Sequence, residues 1–363
     1  MLSIPYRKSG TLIVTEHRSE VLADNPLGDP VWRKITVWLP PSYASAKNRH
    51  YPALYSLAGF MSAGPAQVGW RGFDENIPER VARLIHKKKM GEAVIVFPDC
   101  FTSLGGNQYI NSSAIGRYAD YLVKEVVPFV DRTFRTLAAR DHRGLFGHSS
   151  GGYGALAHAM LYPRIWGAAA SHAGDMGFEN CYLPGWSRTL TVLSQYRNPP
   201  YREGKSKAPM LLAATKRGID DGRVRSFLMA MRKKSPSFDE GHALMDVAMA
   251  ATYDPDPDAP NGFRLPFNLE TGELLNERWR CWQRRDPVRM VGRYAAALRS
   301  LRALYFDCGW RDQYHMHYGA RQFAQALDKH SVPHIYEIFD GTHSHTAYRY
   351  DVSLPILYKA LKL

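Results

Sequence analysis

The sequence predicts an α/β fold: a mostly parallel central sheet of about eight strands, flanked by helices and interrupted by a helical insertion. Two observations carry that expectation. Short apolar runs rich in β-branched and aromatic residues alternate along the chain with segments of helical period. Between Asp175 and Arg302 this alternation breaks down, and helical segments mix with a turn-rich stretch.

Taken in chain order, the strand runs fall near Thr11–Val14, Ile35–Leu39, Ala53–Leu57, Ala93–Phe97, Gly144–Phe146, Gly167–Ser171, Ala303–Phe306 and His334–Ile338. Helical patterns intervene near Pro78–Lys88, Gly116–Arg132, Gly152–Leu161, Tyr318–Lys329 and Ser353–Leu361. Within Gly116–Arg132, Tyr118, Leu122, Val126 and Phe129 recur at spacings of four and three, which builds one apolar face and marks core. Lys87, Lys88 and Lys89 close the helix before them, where cations suit the helix dipole.

The interrupted region contains helical segments at Val224–Met231, His242–Thr252 and Pro287–Leu301. Between them, Asp254–Gly262 is too dense in Asp, Pro and Gly for regular structure. An insert before the penultimate strand overhangs the carboxyl ends of the strands, where open α/β sheets bind ligands. The expected division is therefore a core of residues 1–175 and 302–363 and a cap of 176–301, with a structural extension or subunit surface as the competing reading. The insert's richness in Met and Trp (Met245, Met249, Trp186, Trp279 and Trp282 among them) suits a cap lining an apolar pocket.

Composition narrows the class. Across 363 residues, 45% are hydrophobic and 22% charged, which is ordinary globular usage and excludes a disordered chain. No apolar run approaches the roughly 20 residues of a membrane span. The segment from Met1 to Lys8 lacks the apolar stretch of a signal peptide, so a cytoplasmic location is expected. Four cysteines (Cys100, Cys181, Cys281, Cys308) show neither CxxC nor zinc-ligand spacing, and reduced thiols are expected. The net charge of +13 admits an anionic partner, but no nucleic-acid module accompanies it, and nucleic acid is not an expected partner.

The segment Arg143–Ala155 reads strand, tight turn, helix, with Gly147-His148-Ser149-Ser150-Gly151 at the turn. A G-x-S-x-G pattern is weak alone; in this context it is the elbow that presents a nucleophilic serine in the α/β-hydrolase fold. Ser149 is the nucleophile expected, with its Oγ at a helix N-terminus where developing negative charge is favoured. Ser150 lacks the flanking glycines and is expected to lend its N–H to an oxyanion. The second donor is assigned to the loop after the third strand, at Phe60, where Gly59 is expected to let the backbone turn sharply.

A serine hydroxyl needs a histidine base held by a carboxylate. In this fold the chain order is Ser, acid, His, each after a late strand. His343, just past Gly341, is preferred to His345 as the base. Asp312, free in the loop beyond Gly309, is preferred to Asp307, which closes its strand and is expected to bond backbone groups. The two His-x-His pairs, His315/His317 and His343/His345, lack a carboxylate-rich partner motif, so no metal is expected.

With these residues placed, the chain resembles the esterase D family, which includes S-formylglutathione hydrolases, feruloyl and enterochelin esterases, and mycolyltransferases. The resemblance lies in Ile35–Tyr43, Tyr51–Tyr55, the serine elbow through Ala155, Asp307-Cys308-Gly309 with Asp312, and Gly341-Thr342-His343. It implies a triad of Ser149, Asp312 and His343, an acyl-enzyme route to ester hydrolysis, and no cofactor. Two departures stand out: Ala58-Gly59 replaces the family's His-Gly, and the insertion exceeds that of compact members. The expected partner is a small-molecule ester, and self-association into a homo-oligomer is left open. Acyl transfer with the same triad, and a non-catalytic binding protein on this fold, are the alternative functions.

Overall fold

The computed structural model describes residues 10–197 and 221–362, so the reading of Met1–Lys8 and the insertion's residues 198–220 lie outside it. Among the described residues ten strands form: β1 (Thr11–Arg18), β2 (Trp32–Leu39), β3 (Ala53–Leu57), β4 (Val94–Pro98), β5 (Asn111–Ser112), β6 (Gly116–Arg117), β7 (Arg143–His148), β8 (Ala168–His172), β9 (Ala303–Gly309) and β10 (Ile335–Phe339). Eight of them make one sheet in the order β1-β2-β4-β3-β7-β8-β9-β10, and β5 and β6 pair separately. From β4 to β10 every ladder is parallel, while β1–β2 and β2–β4 are antiparallel. All eight strand runs read from the sequence belong to this sheet. The β5–β6 hairpin escaped that reading because two-residue strands carry no periodic signal.

Burial follows from the layering. Every residue of β3 and β4 is buried, as expected of strands covered on both faces. The helix Ser150–Leu161 lies between the sheet and the helix Pro287–Arg299, and buries every residue from Ser150 to Met160. Its Gly- and Ala-rich sequence permits that approach: a side chain at Gly154 would meet Tyr109 Cδ2 at 2.4 Å.

Local chemistry explains some of the helix starts. Ile77–His86 starts on a capping box, with the Asn76 side chain accepting from Glu79 N–H and Glu79 reaching back to Asn76 N–H. Phe238–Tyr253 uses the same device with Ser237 and Glu240. The helix expected over Gly116–Arg132 begins instead at Tyr118, widens to π geometry over Tyr121–Val126, and continues as Val127–Thr133. Pro128 accounts for the widening. It has no N–H to give the preceding turn, and Val127 N–H bonds back five residues to Leu122.

The described residues of the insertion form the helices Phe178–Cys181, Trp186–Ser194, Arg223–Met231, Phe238–Tyr253, Asn276–Gln283 and Pro287–Arg299. Trp186–Ser194 and Asn276–Gln283 were not foreseen; neither has a side-chain N-cap to announce it. The expectation that the tryptophans line a pocket is overturned. Trp186, Trp279 and Trp282 are buried against one another, with ring centroids 5.3 Å (Trp186–Trp279) and 5.7 Å (Trp279–Trp282) apart, and form the insertion's own interior. No helix of the described residues is long and apolar enough to cross a membrane.

Candidate active site

β7 leads into the helix Ser150–Leu161 through Ser149, whose backbone is held at φ 56° and ψ −126°. A side chain other than glycine's rarely adopts this region, so the turn is strained. The flanking glycines make it sterically feasible. A Cβ at Gly147 would lie 2.5 Å from Gly151 C, and one at Gly151 would lie 2.0 Å from Leu57 O. Ser149 N–H donates to His172 O at 2.9 Å, and its carbonyl accepts from Tyr153 N–H at 2.9 Å. The elbow is thus pinned from both sides.

Beyond β9, Asp312 is buried in its loop, and its Oδ2 accepts from His343 Nδ1–H at 2.7 Å. Burial alone raises the Asp312 carboxyl pKa; the hydrogen bond and charge of His343, with the backbone N–H groups of Tyr314 and Met316, outweigh it and hold the carboxyl below its usual range. His343 N–H donates to Gln313 Oε1 at 2.9 Å, and the ring meets Tyr314 edge-on at 4.8 Å. The remaining ring nitrogen, Nε2, is left as the acceptor. Ser149 and His343 line one cavity of about 510 Å³, together with Phe60, Met61, Phe238 and Met245.

Asp307 lies elsewhere and does something other than bond backbone groups with its side chain. Its carboxylate accepts from His172 Nδ1–H (2.8 Å), Tyr305 O–H (2.8 Å) and Arg349 Nε–H (2.7 Å). His172 Nε2 in turn meets Ser353 Oγ at 2.8 Å, so this second Asp–His–Ser row is wholly buried and ties β8 and β9 to the helix Tyr350–Leu361. His343 lines the cavity and Asp312 is held behind it, whereas neither His172 nor Asp307 lines it.

Gly59 is not in the left-handed region, so the sharp turn expected there is not its role. The glycine is needed for close approach: a Cβ there would stand 3.3 Å from His148 O and 3.5 Å from Ser149 Cβ. Phe60 follows, buried, with its carbonyl taken by Gly106 N–H at 2.7 Å.

Three supporting residues escaped the sequence reading. His148 is partly buried at the cavity wall and kept neutral, its pKa pushed down to about 3 chiefly by desolvation, and its Nε2–H donates to the His343 carbonyl at 2.9 Å. Gln108 Nε2 donates to Ser150 Oγ at 2.9 Å and to Asp175 Oδ2 at 2.8 Å, and Asp175 also accepts from Tyr182 O–H at 2.8 Å. Burial raises the pKa of Asp175. Only the position of His148 inside the serine motif offered any signal; Gln108 meets Ser150 and Asp175 through tertiary contact alone. His315 and His317 stand side by side, with ring centroids 6.4 Å apart, and no group of three metal-ligating side chains occurs among the described residues.

One wall of the cavity comes from the helix Phe238–Tyr253, through Phe238, Gly241, His242 and Met245. Behind it, Asp246 is fully buried, with Thr189 Oγ1–H at 2.5 Å and His242 Nε2 4.0 Å away. Burial pushes the Asp246 carboxyl up to about 7. A carboxyl raised in the folded state binds a proton that the unfolded chain has released. Stability therefore falls as pH rises from about 4 to about 7. Asp246→Asn should leave the melting temperature nearly unchanged at pH 5, raise it at pH 8, and flatten the profile between. A wild-type profile that already lacks this decline would exclude the buried titration.

Comparison with known proteins agrees with this architecture. An esterase family model, described as "Putative esterase", matches residues 31–354. An esterase of Mycobacterium tuberculosis is 32% identical over 146 residues, 39% of this chain but only 28% of its own length. An uncharacterised Bacillus subtilis protein is 25% identical over 155 residues, 41% of this chain and 59% of its own. The match thus spans less than two thirds of the length of either relative. Among solved structures, a ferulic acid esterase aligns over 97% of this chain and 98% of its own, with TM-score 0.60 and 19% identity. An S-formylglutathione hydrolase from Agrobacterium tumefaciens aligns over 98% and 97%, with TM-score 0.57 and 15% identity. At those identities the likeness is one of fold, that of the α/β-hydrolases. With the sheet order, the serine elbow and a family match that runs from β2 into the last helix, the chain belongs to the esterase family.

Proposed function

We propose that the protein is a serine carboxylic-ester hydrolase working through an acyl-enzyme, with Ser149, His343 and Asp312 as its triad. The observation that carries this reading is the convergence of a strained, glycine-framed serine and a carboxylate-held histidine on one cavity. Asp312 keeps the proton on His343 Nδ1, so Nε2 is free to take the Ser149 hydroxyl proton as Oγ attacks the ester carbonyl. The tetrahedral oxyanion is received by the N–H groups of Ser150 and Phe60; the first belongs to an unpaired helix start, and the loop of the second lies against Ser149. His343 then protonates the leaving alcohol, and water activated by the same nitrogen releases the acid. No step requires a cofactor. Incubation with a fluorophosphonate should give one covalent adduct, on Ser149, and a panel of esters with one thioester should show turnover. Absence of both adduct and turnover overturns the proposal in favour of a binding protein.

Within this reading, the 176–301 insertion acts as a cap whose segment 236–245 walls the cavity and sets the acyl preference. Phe238 and Met245 replace the tryptophans as the side chains concerned. Each methylene accommodated is worth about 0.8 kcal/mol, so Met245→Ala or Phe238→Ala should shift the preferred chain length upward. The measurement is kcat/KM along an ester series with melting temperature as control. Unchanged ranking in both well-folded variants would remove the insertion from substrate selection.

A further inference from the structure

Part of the basic excess behind the net charge of +13 gathers at one place. The helices Asn276–Gln283 and Pro287–Arg299 border a cleft of about 710 Å³ lined by Arg280, Arg284, Arg285, Arg289 and Arg293. Spacings of four put Arg280 and Arg284 on one wall and Arg289 and Arg293 on the other, with Arg285 at the corner. All five are exposed. None of the residues bordering this cleft borders the cavity of Ser149.

Like charges gathered this closely repel one another unless something of opposite sign sits between them. The protein supplies little. Asp254 is the one carboxylate bordering the cleft; it is itself buried and faces Arg278 at 3.5 Å. Among the described residues, Arg289 pairs with Glu179 (2.5 Å), and the other four have no carboxylate partner. Arg284 meets only the Cys281 sulfur, at 2.9 Å. Among the described residues, four guanidinium groups of the cleft thus have no carboxylate to pair with, Arg293 resting over the Tyr294 ring at 5.3 Å.

We propose that this cleft is a second ligand site, for a small molecule carrying at least two phosphate groups. The guanidinium fork pairs two N–H groups with two phosphate oxygens, and four such forks match two phosphates better than one. The volume is that of a small-molecule site. Its floor, with Tyr253 and Met290 buried beside Pro255 and Tyr294, offers an apolar surface to an attached organic group. A membrane or a single-stranded nucleic acid fits less well. Among the described residues, none of the large exposed apolar or aromatic side chains borders the cleft, so there is nothing to insert into lipid or to stack on successive bases.

The test is calorimetric titration of the full chain at low ionic strength with ATP, pyrophosphate and adenosine, alongside phosphatidylglycerol vesicles and a single-stranded oligonucleotide. ATP or pyrophosphate should bind and raise the melting temperature, more weakly as salt increases, and adenosine should not; which of the two binds tighter separates a nucleotide from an inorganic source. Arg285→Ala/Arg293→Ala should weaken the tighter ligand by about 10-fold or more. It should leave the melting temperature of the free protein and fluorophosphonate labelling unchanged. Lys87→Ala/Lys88→Ala removes as much charge elsewhere and should leave binding intact. The proposal is overturned if neither phosphate compound binds at millimolar concentration, if the two double variants lose affinity equally, or if only vesicles or the oligonucleotide bind.

Discussion

Ser149→Ala is expected to abolish fluorophosphonate labelling and to lower kcat by about 10⁴-fold or more. The loss is this large because the substitution removes the attacking atom; what persists is binding and oxyanion stabilisation. The variant should fold as the wild type does. Alanine occupies the same strained φ of 56°, and the backbone bonds to His172 and Tyr153 do not involve the side chain. Ser150 cannot substitute, since its Oγ is buried and held by Gln108 Nε2–H. Undiminished burst kinetics in Ser149→Ala would move the nucleophile elsewhere.

The second large effect separates two aspartates that stand five residues apart. Asp312→Asn should reduce kcat by roughly 10²–10⁴-fold, because an amide in that place no longer holds the proton on His343 Nδ1. Melting should change little in comparison. Asp307→Asn should act the other way. The carboxylate there is buried and accepts from His172, Tyr305 and Arg349; an amide cannot accept from all three, and although Glu337 still pairs with Arg349, the unsatisfied buried donors should cost about 1–3 kcal/mol. Turnover per folded molecule should stay near wild type, measured well below the lowered melting temperature. If activity instead falls with Asp307 while both variants melt alike, the carboxylate assignment is wrong.

The contrast between these two residues also shows how far the sequence could be read. Both sit near the end of one strand, and both are followed into space by a histidine. Chain geometry favoured Asp312, since only a residue past the turn has reach. What Asp307 does was not legible, because His172, Arg349 and Ser353 come to it from β8 and from the C-terminal segment. The tryptophans tell the same story. Their richness marked an apolar interior, yet whether that interior faced substrate or itself depended on how the two helices that carry them packed.

What the sequence by itself determined is therefore whatever short-range sterics and periodicity dictate. The eight sheet strands follow from runs of β-forming residues, the elbow from glycines at positions where a Cβ would come within 2.0–2.5 Å of a neighbour, and two of the helix starts from capping boxes. Tertiary structure alone decided the meeting of Gln108 with Ser150 and Asp175, the bond from His148 to the His343 carbonyl, and which part of the insertion, its 236–245 segment, borders the cavity. It also decided that five arginines, spread innocuously over fourteen positions of sequence, Arg280 to Arg293, would border one cleft. Pairing, burial and electrostatic crowding depend on distances between side chains far apart along the chain, and no local pattern records those distances.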